Sequence, residues 1–171
     1  LSASLSALRL LTTDLTAVVT VADDGGSSGR LRHELDVLPP GDLRMALAAL
    51  CDDTDWGRTW RDVMQHRFQS RPGVTGSLDN HALGNLLIVT LWELLGDPVA
   101  GLQWAGALLG ARGQVLPMST QPLTIEGDVL RRSATGEYLE LVTGQARLAT
   151  AGALGKVSEV RLTPADATAC P

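Results

Sequence analysis

Val18-Val19-Thr20-Val21-Ala22-Asp23-Asp24-Gly25-Gly26-Ser27-Ser28-Gly29-Arg30 runs from a β-branched apolar segment straight into two carboxylates and a loop of small residues. The apolar part, Leu15 to Val21, reads as a strand of a buried parallel sheet. In open α/β sheets the ligand crevice lies at the carboxyl ends of such strands, which is where Asp23 and Asp24 fall. Gly25, Gly26 and Gly29 permit close backbone approach, and successive loop N–H groups can form an anion-binding nest. Ser27 and Ser28 add hydroxyl donors, and Arg30 can hold a phosphate through two parallel hydrogen bonds. The competing reading is a plain Gly/Ser/Asp turn after a strand.

Two further stretches point to the same crevice. In Pro39-Pro40-Gly41-Asp42-Leu43-Arg44 the carboxylate of Asp42 is placed to cap a helix running to about Cys51, and Arg44 follows in its first turn. Asn80-His81-Ala82-Leu83-Gly84-Asn85 opens a helix, His81 to Leu95, that is apolar almost all round and therefore buried. His81 and Asn85 are four apart and share a helix face, near the terminus where unpaired N–H groups and the helix dipole favour anions. Ordinary turns and caps are the alternatives at both places.

The rest of the chain frames these motifs. Helices are expected over Ser2 to Leu11, Leu31 to Leu38 and Trp56 to Phe68, with a Pro/Gly/Ser loop over Ser70 to Ser77. Gly96 reads as a helix stop, and Asp97 with Pro98 as the start of a helix reaching about Leu109. Gln114 to Met118, Leu123 to Val129, Tyr138 to Leu148 and Val157 to Leu162 read as strands. The fold class is therefore α/β, with a strand-rich C-terminal part, in a single domain over 1–171.

With 171 residues and 44% hydrophobic composition the chain can bury a sizeable core. Its net charge of −5 argues against a general basic surface for nucleic acid. Arg58, Arg61, Arg67 and Arg71 read as a solvated helix face. Cys51 and Cys170 show neither metal-ligand spacing nor a disulfide framework, so a reducing cytoplasm is expected, with Cys51, Trp92 and Trp104 in the core. No apolar run reaches membrane-spanning length, and no charged leader opens the chain. The nucleotide-triphosphate loop G-x-x-x-x-G-K-[ST] and the hydrolase elbow G-x-S-x-G are both absent, and His33 and His66 lack metal-ligand spacing.

Taken in order, the Val19–Arg32 stretch, Leu38-Pro39-Pro40-Gly41-Asp42-Leu43-Arg44, His81-Ala82-Leu83-Gly84-Asn85-Leu86 and Gly113-Gln114-Val115-Leu116-Pro117 closely resemble the YvcK-type gluconeogenesis factor family, related to the 2-phospholactate transferase CofD. The resemblance covers Leu1 to about Val129. It implies a Rossmann-like three-layer parallel sheet with a nucleotide-type ligand at the strand ends. For the YvcK branch it implies a regulatory protein that binds UDP-sugars such as UDP-N-acetylglucosamine without required turnover or cofactor. Roles in carbon metabolism, cell-wall precursor supply and cell shape follow from the same resemblance, with homo-oligomers and protein partners left open. Carried over from the resemblance, Asp23, Asp24, Ser27, Ser28 and Arg30 match the family's first loop and Asn80, His81 and Asn85 its central helix start; with Gly25, Gly26, Asp42 and Arg44 from the motifs above they make up the candidate ligand-binding set. For the CofD branch it implies phospholactyl transfer from a GDP-linked donor, with Mg²⁺ on Asp23 and Asp24. Family members carry glycine-rich loops before the position of Leu1 and beyond that of Pro171, so the chain is expected to be part of a longer domain.

Overall fold

The computed structural model of the chain describes every residue except Thr75 and Thr135, and at Leu154 the backbone alone. Its elements run α1 (Ser2–Leu8), β1 (Thr16–Val19), α2 (Gly26–Leu35), α3 (Gly41–Leu50), α4 (Asp55–Gln65), α5 (Leu83–Leu95) and α6 (Pro98–Leu109). They continue with β2 (Gln114–Pro117), β3 (Thr124–Ser133), β4 (Gly136–Thr143), α7 (Gln145–Leu154) and β5 (Lys156–Thr163). Strand β1 pairs in parallel with β2, Thr16 opposite Gln114 and Val19 opposite Pro117. Helix α3 packs on both strands and α6 on β2, while α1, α4 and α5 pack around these two helices. This is the expected α/β, Rossmann-like arrangement, with the glycine segment leaving the carboxyl end of β1. The antiparallel sheet β4-β3-β5, backed by α7, is the strand-rich C-terminal part.

The core explains the sequence pattern. Val19, Val21, Leu43, Leu47, Ile88 and Leu109 are fully buried in one cluster between the parallel pair and its helices. A smaller cluster of Val129, Val142, Leu148 and Ala151 seats α7 on its sheet. Ile125 touches both clusters. Strand β1 is not buried on both faces: Ala17 and Val19 point inward, but Val18 is 63% exposed, because the helices cover one side of the pair.

Several expected boundaries shift, each for a local reason. Helix α2 starts at Gly26 rather than Leu31, so the glycine and serine stretch is its first turn and not an open loop. Gly26 enters it at φ +51°, and an added Cβ at Gly29 would overlap the Asp24 carbonyl. Asp42 is not the cap of α3. Pro40 holds that position, and Asp42 lies one residue inside the first turn without a capping bond. Helix α5 starts at Leu83, capped by the backbone of Ala82, so Asn80 (φ 58°) and His81 lie in the preceding turn. There the backbone is claimed by the 66–68 segment: Leu83 N donates to His66 O at 2.9 Å and Phe68 N to His81 O at 3.1 Å. The expected strand Tyr138 to Leu148 ends at Thr143. Gly144 turns at φ +102°, and an Ala-rich run of good helix formers then gives α7.

Gly96 ends α5 in the left-handed region, and the Asp97 carboxylate accepts from Val99 N at 2.8 Å, as the sequence implied. Trp92 and Cys51 are buried, but Trp104 is 63% exposed on α6. Thr75, in the expected Ser70–Ser77 loop, lies outside the described residues. No described helix is long and apolar enough to cross a membrane.

Candidate functional site

The first turns of α2 and α3 and the third residue of α5 converge on a cavity of about 300 Å³. Asp23, Gly25, Gly26, Ser27 and Ser28 form one wall, Gly41, Asp42, Arg44 and Met45 a second, and Arg67 and Asn85 the rest. Helices α2 and α3 have no side-chain cap, so their leading N–H groups are free to meet a ligand. The close approach of the two helices depends on Gly41. A Cβ there would overlap Ser28 Oγ and come within 3.2 Å of Asp23 Oδ2.

A buried polar chain organises the floor. Arg44 Nε donates to Asn85 Oδ1 at 2.8 Å, and Asn85 Nδ2 donates to Ser27 Oγ at 3.0 Å. Ser27 Oγ also accepts from Ala82 N at 3.4 Å and lies 3.0 Å from His81 Nδ1. With two donors already on it, the Ser27 hydroxyl must give its own proton to Nδ1, which puts the imidazole proton on Nε2. Such a chain, headed by a guanidinium, polarises each bond in the next. It also means that Ser27 is spent on the scaffold and orients the site rather than reaching into it.

Two groups in the cavity keep unused donor capacity. Arg44 is 3% exposed yet forms no ion pair among the described residues; beyond Asn85 it reaches only Met64 O, at 3.5 Å. Burial, and then the charge of Arg67, pushes its guanidinium down to about 10. Ser28 is likewise 3% exposed, and its hydroxyl has no hydrogen-bond partner among the described residues. Burial and the neighbouring Asp23 raise Asp42 above the usual carboxylate range. His81 is lowered by burial, then by Arg30, which keeps it neutral at physiological pH.

Asp24, Arg30 and Asn80 make their contacts outside the cavity, while Asp23 lines it. The Asp24 carboxylate leaves the cavity and accepts from Ala146 N, in the first turn of α7, at 3.0 Å. Arg30 Nη2 donates to Asp79 O at 2.6 Å, and Asn80 O accepts from Arg67 Nη1 at 2.9 Å. Asp23 Oδ1 accepts from Gly25 N at 3.0 Å. Asp23 and Asp24, the pair considered for Mg²⁺, are thus tied to different segments; the carboxylate that shares the cavity with Asp23 is Asp42. Arg67, read from sequence as part of a solvated face, lines the cavity because the chain after α4 turns back to pair with Ala82. Its position just past the last apolar turn of α4 was the one available signal.

The chain matches, over residues 1–171, the family described as 2-phospho-L-lactate transferase CofD. It is 55% identical over 166 residues to a putative gluconeogenesis factor of Mycobacterium tuberculosis, covering 97% of this chain and 47% of that protein. It is 40% identical to the gluconeogenesis factor of Halalkalibacterium halodurans, with the same coverage. A crystal structure of a UPF0052-family protein from Bacillus halodurans superposes with a TM-score of 0.83 at 38% identity, covering 99% of this chain and 49% of that one. The chain spans about half the length of these relatives.

Proposed function

The chain belongs to the CofD family, in its YvcK-type gluconeogenesis-factor branch, and we propose that its glycine-segment cavity binds the diphosphate of a nucleotide sugar in a regulatory role without turnover. The observation that carries this reading is Arg44. A buried guanidinium with no direct ion-pair partner is costly, even with Asp42 in the same cavity wall, and such a charge is retained where an anion is to be met. Ser28 supplies an unused hydroxyl beside it, and the uncapped turns of α2 and α3 supply backbone donors. Arg67 adds a second cation. Asp23 can accept from ribose or sugar hydroxyls at the rim. UDP-N-acetylglucosamine is the ligand of choice, with carbon metabolism, cell-wall precursor supply and cell shape as the processes it would report on.

The name of the family favours a second reading, phospholactyl transfer from a GDP-linked donor. There Mg²⁺ would supply charge neutralisation at the transferred group. The different hydrogen-bond partners of Asp23 and Asp24 support preferring the first reading. Isothermal titration of the protein with UDP-N-acetylglucosamine, with and without Mg²⁺ and with GDP as competitor, decides between them. Metal-independent UDP-sugar binding that is lost in Ser28→Ala and Arg44→Met supports the regulatory reading. Metal-dependent binding of GDP alone sinks it.

A further inference from the structure

Asp24 does something that the cavity does not require. Helix α7 is preceded at its N-cap by Gly144, which offers no side chain to the leading N–H groups. The missing cap comes from 122 residues earlier in the chain, where Asp24 Oδ1 accepts from Ala146 N. The fit leaves no spare room, since a Cβ at Gly144 would overlap Asp24 Oδ2, and φ there is +102°. A negative charge at this end of α7 also complements its dipole. On the other side, the Asp24 carbonyl lies against Gly29, so the carboxylate is fixed by the same turn that shapes the cavity wall. A second tie, Arg32 Nη2 donating to Thr124 Oγ1 at 3.0 Å, joins α2 to the start of β3.

We propose that Asp24 is a latch between the glycine segment and α7, so that the cavity wall and the antiparallel module order together. Asp24 is a positioning residue: its carboxylate serves either α7 or a group that draws it toward the cavity. A ligand that claims Asp24, or that shifts the Gly25–Gly29 turn, uncaps α7 and loosens its seat on β3 and β4. The latch stands on the capping geometry. Its use as a signal rests on the cavity being the ligand site.

Amide hydrogen exchange on the protein tests both parts. Asp24→Ala should speed exchange of α7 about fivefold to tenfold, the effect of losing an ordinary helix cap. Asp24→Asn keeps an acceptor oxygen and should hold exchange close to the parent. Gly144→Ala, at the far end of the latch, should speed exchange at Gly25 to Arg30. Exchange in α7 that ignores Asp24→Ala, or a glycine segment that ignores Gly144→Ala, overturns the latch. Saturating UDP-N-acetylglucosamine should then speed α7 exchange in the parent and leave Asp24→Ala unchanged. Binding seen by titration with no change in α7 overturns the signal. No binding overturns the nucleotide-sugar reading, and the variants still decide the latch.

Discussion

Replacing Arg44 with Met should leave the protein as stable as before or more stable, while weakening, on the proposed reading, its binding of diphosphates. The guanidinium sits at about 10, well below its ordinary value. At 1.36 kcal/mol per pH unit, that gap costs the charged form about 3 kcal/mol in the folded chain. The sign follows from the direction: a depressed base binds its proton less well when folded, so the cost is present in full at neutral pH and fades only above about pH 10. Met keeps most of the volume and removes the charge. It also strips Asn85 Oδ1 of its donor, a loss of about 1–3 kcal/mol for a buried acceptor. The balance is a change in unfolding free energy between zero and a gain of about 2 kcal/mol. The lost charge-assisted hydrogen bonds should weaken inorganic pyrophosphate by tenfold or more. Urea unfolding with and without pyrophosphate measures both quantities on one sample. A variant that loses more than about 2 kcal/mol and binds pyrophosphate like the parent would refute the reasoning, because Arg44 would then be a structural residue with no anion to meet.

Gly41→Ala should destabilise the protein by about 1–3 kcal/mol and weaken pyrophosphate, since its Cβ must push Ser28 and Asp23 out of place; thermal melts with and without the ligand read both. Because His81 is lowered in the folded chain, the unfolded chain binds the extra proton first as pH falls through the ordinary imidazole range. Stability should therefore drop there and flatten in His81→Gln, as chemical melts between pH 7 and pH 5 will show. Trp56→Phe removes the indole donor to Leu108 O, a 2.8 Å bond between α4 and α6, and should cost about 1 kcal/mol in urea unfolding without touching ligand affinity.

The parts that were legible in the sequence are those set by near neighbours. The apolar run of α5, its stop at Gly96 and the Asp97 cap each follow from a few consecutive residues. The three motifs that meet at the cavity were also visible, each as a strand end or helix start. What escaped depends on distant partners. The glycine stretch is helical because Ser27, Ser28 and Leu31 are buried by other elements, against weak local propensity. Asn80 and His81 are held outside α5 by the backbone of 66–68, and Arg67 reaches the cavity by that same pairing. Asp24 carries the typical position of a ligand carboxylate, yet its partner Ala146 lies in the Tyr138–Leu148 stretch that the sequence reads as a strand.

The pairing of β1 with β2 sets the order in which this molecule can assemble. Thr16 and Gln114, at the head of that ladder, are 98 residues apart, and α2 to α6 lie between them. Closing so long a loop costs chain entropy before the ladder returns anything, whereas α5 and α6 can dock as soon as they form. Substitutions such as Val19→Ala should therefore speed unfolding and leave the folding rate nearly unchanged, with the reverse for contacts between α5 and α6; stopped-flow chevrons would expose the opposite pattern. The glycine segment hangs from the end of β1 and is tied through Asp24 to α7, so its shape depends on contacts 98 and 122 residues apart in sequence. On the proposed reading, a chain that has formed α5 and α6 but not the β1–β2 ladder should be helical yet unable to bind, so that binding would report completed folding.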